Sequence, residues 1–204
     1  MKEDFWYLLG GENRRVIGQK YLEAGIVRDE WQKRFQSDKR LYAKYGSAKY
    51  EVGINRRLQR NEAYKNHYHA GDGLFVENDV QLCQQHYLNG SISIGHHVLF
   101  AKHVFIDYSG EVIIKDNVKI AAGVTIESHH RDLEAYNKGT DVNIGTKLVI
   151  EEGAYIGTRA IILDSCSYIG KCARIGAGAV VVKDIPDYSI AVGVPAKVVK
   201  MIEH

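Results

Sequence analysis

The sequence predicts a mainly β fold: a solenoid of short parallel strands with a helical segment at its N-terminal side. Two observations carry that prediction. Large apolar residues recur at a step of six through Ile94, Phe100 and Ile106, then Ile114, Ile120 and Ile126, then Ile150, Ile156 and Ile162, then Ile169, Ile175 and Val181. Two positions before each stands a small or branched residue, in order Ile92, Val98, Val104, Val112, Val118, Val124, Leu148, Ala154, Ala160, Ser167, Ala173 and Ala179. Successive side chains of a strand point to opposite faces, so inward positions at i−2 and i describe a short strand buried on one side and followed by a turn. Three such strands close one coil of a triangular prism. Stacked coils then bury a continuous aliphatic core, which is a parallel β-helix.

In chain order, residues 1–70 have a helical texture. Ile17 and Tyr21 are four apart before Gly25, and Trp31, Phe35, Tyr42 and Tyr45 follow helical spacing before Gly46, which reads as short amphipathic helices. Residues 71–204 form the solenoid domain, with 71–91 as a first, irregular coil. A β-helix accepts insertions only at its corners, and the repeat is interrupted three times. Two extra residues separate Ile106 from Ile114, one separates Ile162 from Ile169, and the step from Ile126 to Ile150 is 24. Only the last is a true excursion, at about 127–147, and it opens with His129 and His130. A polar loop leaving a rigid scaffold is where chemistry is usually placed. The final KVVKMIEH, after Pro195, reads as a strand or short helix capping the far end.

Composition narrows the function classes. With 45% hydrophobic and 25% charged residues and a net charge of +2, the 204-residue chain is an ordinary globular protein. Its apolar runs fall short of the roughly 18 residues of a membrane span. Residues 1–70 hold 15 Lys/Arg against 9 Asp/Glu, leaving 12 against 16 elsewhere. These charges are interspersed with acids, as on solvated helix faces, so no nucleic-acid partner is expected. The N-terminal MKEDFWYLLGGENRR lacks the basic start and long apolar centre of a signal peptide, and a cytoplasmic location is expected. Cys83, Cys166 and Cys172 are odd in number and without paired metal spacing, the pattern of free thiols.

Three segments go further than the repeat: ISIGHHVLFAKHVFIDYSGEVIIKDNVKIAAGVTIESHH, LVIEEGAYIGTRAIIL and IGAGAVVVKDIPDYSIAVGVPAKVV. From about residue 91 to 202 the chain resembles the hexapeptide-repeat acyltransferases. Within them it is most similar to the branch of maltose and galactoside O-acetyltransferases and polysaccharide acetyltransferases, through Lys183-Asp184-Ile185-Pro186 followed by Gly193-Val194-Pro195-Ala196. The resemblance implies a left-handed parallel β-helix and a homotrimer with its active sites in the clefts between neighbouring prisms. It also implies direct transfer of an acetyl group from acetyl-CoA to a small-molecule saccharide acceptor.

Transfer to a hydroxyl needs a base that takes the proton as oxygen attacks, and a positioned histidine contributes about 10²–10⁴ in rate. By resemblance the catalytic histidine opens the excursion. An ungapped match puts His129 on the first histidine of the family's His-x-His. An alternative match, in which Arg directly follows the catalytic residue, selects His130. His129 is favoured, and both stand as candidates. Asp107 and Ser109, one coil earlier in IDYSG, match the place where the family's acceptor pocket carries an acid, although Asp, Ser and Gly also suit a plain turn. For the cofactor, the matching positions are Thr158, Ala177, Val182, Lys183, Lys197 and Lys200. The lysines are suited to phosphates, and a main-chain N–H near Thr158 to the tetrahedral oxyanion. The γ-type carbonic anhydrases share this fold and bind zinc through histidines five apart on one coil. Five beyond His97 and His103 stand Lys102 and Tyr108, so no metal is expected. Besides O-acetylation of a sugar or polysaccharide hydroxyl, two readings stay open: N-acetylation of an amino sugar, and a non-catalytic β-helix serving as an assembly module.

Overall fold

The computed structural model describes residues 54–85 and 88–203. The helical spacing read from Ile17 to Tyr45 lies outside the described residues. Helix α1 (Ile54–Tyr68) leads into three parallel sheets. The first holds β1 (Phe75–Val76), β4 (Leu99–Phe100), β7 (Lys119–Ile120), β12 (Tyr155–Ile156), β15 (Arg174–Ile175) and β17 (Ser189–Val192), with β18 (Lys197–Met201) added antiparallel. The second holds β2 (Gln81–Cys83), β5 (Phe105–Asp107), β8 (Thr125–Ile126), β13 (Ile161–Ile162) and β16 (Val180–Val181). The third holds β3 (Ser91–Ile94), β6 (Glu111–Ile114), β11 (Lys147–Ile150) and β14 (Tyr168–Ile169). The chain visits the faces in rotation, which makes a parallel β-helix.

The six-residue step predicts the stacking. Ile114 pairs in register with Ile94 and Ile150, Ile120 with Phe100 and Ile156, and Ile126 with Ile106 and Ile162. All nine side chains are buried. Complete burial of each is worth about 1.5–3 kcal/mol, which locks the register against slippage. Three details differ from expectation. The coil at 71–91, expected to be irregular, carries strands β1 and β2, with Leu74, Val76, Val80 and Leu82 all buried. Cys166 rather than Ser167 fills the inward position before Ile169, because the single inserted residue shifts the corner. Ile92 is only partly buried.

Corners stack as regularly as strands. Along the edge between the third and first faces, His97, Asn117, Gly153, Cys172 and Tyr188 all take a left-handed conformation, with φ of 51–70°. Each donates its main-chain N–H to a carbonyl of the preceding coil, as in Asn117 to His96 at 2.8 Å and Gly153 to Asp116 at 3.0 Å. A left-handed non-glycine costs about 1–2 kcal/mol, which this ladder offsets. His97 and His103 (φ 59°) are thus corner residues.

The open edge of the first coil is closed by side chains of α1. Arg60 Nε donates to the Val76 carbonyl and Tyr64 Oη to the Val80 carbonyl, at 2.8 and 2.6 Å, while Asn61 Oδ1 accepts the Val76 N–H at 2.8 Å. Buried main-chain groups need such partners, which accounts for polar Arg60 and Asn61 being buried. No helix among the described residues is long and apolar enough to cross a membrane.

Candidate active site

The edge between the second and third faces carries the chemistry-bearing residues. Asp107 ends β5, and Glu127 occupies the corresponding place one coil later, since Ile106 pairs with Ile126. At Ser128 the chain leaves the prism and returns at Thr146, whose N–H donates to the Ser128 carbonyl at 2.7 Å. Gly110 lies beneath this crossing. A Cβ there would stand 1.9 Å from the Thr146 carbonyl oxygen and 2.5 Å from that of Ser128, so only glycine lets the two ends of the excursion close over the corner. The excursion itself is an antiparallel pair, β9 (His129–Arg131) and β10 (Asn143–Gly145), joined through the short helix α2 (Leu133–Asn137) with Asp132 as its N-cap.

Asp107 has a side chain only 4% exposed. Its Oδ1 accepts the Ser109 N–H at 3.2 Å and the Ser109 hydroxyl, and its Oδ2 accepts the Ser128 N–H at 3.1 Å and hydroxyl at 3.3 Å. His129 Nδ1 completes the set at 2.6 Å from Oδ2. Burial pushes the carboxyl up, but the hydrogen bonds from Ser109, His129 and Ser128 outweigh it and hold Asp107 below the usual carboxylate range. An ionised Asp107 fixes the tautomer of its neighbour: Nδ1 carries the proton, and Nε2 keeps its lone pair. His130 reaches a different acid, with Nδ1 2.7 Å from Asp164 Oδ2. Consecutive strand residues face opposite ways, so the two histidines of β9 project to opposite sides. Arg131, on the second histidine of the ungapped match, is held inside the excursion by Asp141 at 3.2 Å and by the Tyr136 ring at 5.0 Å.

Ser109, expected from the resemblance at the acceptor, is buried and faces Asp107 and the Gln85 N–H, which donates to its Oγ at 2.8 Å. Three residues of this corner escape sequence reading: Ser128, Glu127 and Asp164. Aligning the corners as stacked columns would have found Glu127 next to Asp107, because both follow an inward isoleucine by one residue. Burial lifts the Glu127 carboxyl above its usual range, and the charges of Asp107 and Asp164 add to the rise while His129 opposes it. One ligand atom each from Asp107, Glu127 and His129 lies within 4.8 Å of the others. The expectation of no metal rests on the spacing of histidines and cysteines, and this trio of two carboxylates and one histidine lies outside it.

The cofactor candidates lie elsewhere on the prism, and no hydrogen bond or ion pair links them to the His129 corner among the described residues. Thr158 and Ala177 are exposed in one corner column, where the Gly178 N–H donates to the Thr158 carbonyl at 2.8 Å. Val182 and Lys183 follow β16 at the edge that carries Asp164 one coil earlier. Lys197 and Lys200 would alternate on a regular strand. A register shift between Ile190 and Ala191 instead pairs Lys197 with Val192 and Lys200 with Ile190, which puts both lysines on one outward face.

No protein-family profile matches the chain. It is 36% identical over 118 residues to a Schizosaccharomyces pombe protein named as an acetyltransferase, covering 54% of this chain and 56% of that one, so the chain spans about half the length of that relative. It is 28% identical over 187 residues to the galactoside O-acetyltransferase of Lactococcus lactis, covering 92% of this chain and 75% of that one. Among solved structures, a maltose O-acetyltransferase from Clostridium difficile superposes with a TM-score of 0.60 at 26% identity, covering 81% and 84% of the two chains. The chain is thus similar, over most of its length, to proteins named as acetyltransferases, and it shares the solenoid fold of a solved maltose O-acetyltransferase.

Proposed function

We propose that the chain is an acetyl-CoA-dependent O-acetyltransferase that acts on a sugar or polysaccharide hydroxyl by direct transfer, with His129 as general base. The observation that carries this reading is the 2.6 Å contact between His129 Nδ1 and a buried, multiply hydrogen-bonded Asp107, which directs the basic Nε2 away from the acid. Nε2 takes the hydroxyl proton as the oxygen attacks the thioester carbon, and the proton then goes to the departing thiolate. Asp107 holds the ring and stabilises the imidazolium; Ser109 and Ser128 hold Asp107.

Thr158 supports oxyanion binding, because its main-chain N–H has no acceptor in the corner ladder and such a donor is worth about 3–4 kcal/mol in acyl transfer. Ala177 and Val182 leave room for the pantetheine arm along the same face, and Lys183, Lys197 and Lys200 receive its phosphates. The flat sheets suit a homotrimer of three 23.0 kDa chains. The test is thiol release from acetyl-CoA in the presence of a panel of mono- and oligosaccharides. Acceptor-dependent release that His129→Ala abolishes is the expected result; release with no acceptor dependence would sink the assignment.

A further inference from the structure

Glu127 is the one carboxylate of this corner without a protein partner. Asp107 is paired with His129 and Asp164 with His130, whereas the Glu127 side chain has no hydrogen bond or ion pair among the described residues. It is half-buried, and its carboxyl lies within 4.8 Å of a ligand atom of both Asp107 and His129. A carboxylate held there faces a second carboxylate with no cation between them, an arrangement that like-charge repulsion disfavours. In the free protein the His129 ring opposes that repulsion only in part; a bound cation would relieve it further, and it would sit beside the base.

Resting on the acetyltransferase reading above, we propose that Glu127 selects acceptors bearing an ammonium group next to the reacting hydroxyl, amino sugars or amino alcohols, and that acetyl goes to oxygen. The choice of atom follows from the chemistry. An ammonium bound to a carboxylate keeps all three protons and has no lone pair to attack with. The neighbouring hydroxyl loses its proton to His129 Nε2, its oxygen forms the new bond to the acyl carbon, the carbon–sulfur bond breaks, and the proton passes to the leaving thiolate. The ammonium is unchanged at the end. Raised by burial and by its acidic neighbours, Glu127 gains its charge most readily when that cation is present.

The test compares methyl glucosaminide with methyl glucoside at pH 7 in chelator-treated buffer, for the wild type and Glu127→Gln. Binding is measured calorimetrically, and acetylation by thiol release, with products quenched in acid and scored for hydroxylamine-labile ester. The wild type is expected to bind the amino sugar about tenfold tighter, as a charge-assisted contact allows, to prefer it by a similar ratio in kcat/KM, and to yield ester. Glu127→Gln should erase the preference in both readouts. Equal wild-type binding of the two sugars overturns the inference even where acetyl is transferred. So does a Glu127→Gln loss that is the same for both acceptors and lies in kcat, since that would put Glu127 to work on the base. An amide product overturns the assignment to oxygen. Selective binding without any thiol release sinks the acetyltransferase reading instead and leaves the cation site standing.

Discussion

His129 and His130 each set Nδ1 against an aspartate, at 2.6 Å to Asp107 and 2.7 Å to Asp164. The geometry of the contact therefore does not distinguish them. What differs is the acid behind each ring. Asp107 is 4% exposed and receives further donors from Ser109 and Ser128, while Asp164 is 26% exposed and its ion pair with His130 faces solvent. His129 itself is 19% exposed and His130 45%. A histidine becomes a directed base when its partner is immobilised by groups that cannot turn away, and remains a surface ion pair when it is not. In this corner the immobilising donors come from three stretches of chain: the IDYSG turn, the first residue of the excursion, and Gln85 of the first coil.

Removing the buried ring should therefore break the comparison most severely. His129→Ala is expected to lower kcat by about 10²–10⁴ with little change in the KM for acetyl-CoA, because a general base acts in the transition state. Next in size, Asp107→Asn should cost about 10²-fold in kcat by presenting a group that no longer fixes the proton on Nδ1. Stability offers a second readout. The folded-state carboxyl of Asp107 lies below its ordinary value, so its ionised form contributes stability that is present above the unfolded pKa of about 3.9 and lost as pH falls through the lower folded value. Thermal melts should show the wild type above Asp107→Asn at pH 7, with the gap closing below about pH 4. A gap that did not narrow at all as pH fell from 7 through that range would contradict an ionised Asp107.

The difference between the two pairs was not legible in the sequence, although most of the scaffold was. The stacked isoleucines state the fold directly, because a six-residue step serves only a three-sided coil and every inward residue repeats the signal. The first coil reads as irregular in the sequence because its signal is carried by Leu74, Val76, Val80 and Leu82 in a stretch rich in Asp, Asn and Gln. Position in the repeat and the family resemblance single out His129, His130 and Asp107. Their pairing depends on which side of β9 each ring leaves, and that is set by where the excursion returns, at Thr146 over Gly110. Ser128 was invisible for the same reason: its two bonds to Asp107 exist only once the corner is folded.

Ser109 tests whether the network behind Asp107 is what matters. Ser109→Ala removes one of the two hydroxyl donors to Asp107 and should lower kcat about tenfold while leaving KM values near wild type. It should also lower Tm by roughly 3–12 °C, since a buried hydrogen bond to a charged group contributes about 1.5–3 kcal/mol in a chain of this size. Ser109→Thr, which keeps the hydroxyl, should restore much of the rate. A KM rise confined to the acceptor would instead make Ser109 a binding residue, as the resemblance first suggested.

The smallest effect is expected from the exposed pair, and its smallness is informative. His130 and Asp164 meet where water competes for both groups and where holding two side chains in one geometry costs conformational entropy, so such a pair contributes about 0–1 kcal/mol. His130→Ala and Asp164→Asn should each shift Tm by less than about 4 °C, and the shift should shrink further at high salt, where exposed charges are screened. The rate should fall less than about threefold, because His130 projects from the opposite side of β9 and has no immobilised acid to fix its tautomer. Combining His130→Ala with His129→Ala should add nothing to the loss in kcat, since a residue outside the proton transfer has no rate left to remove once the base is gone. The reverse ranking, with His130→Ala the slower enzyme, would move the base to the half-exposed ring and show that partner burial does not choose between the two histidines.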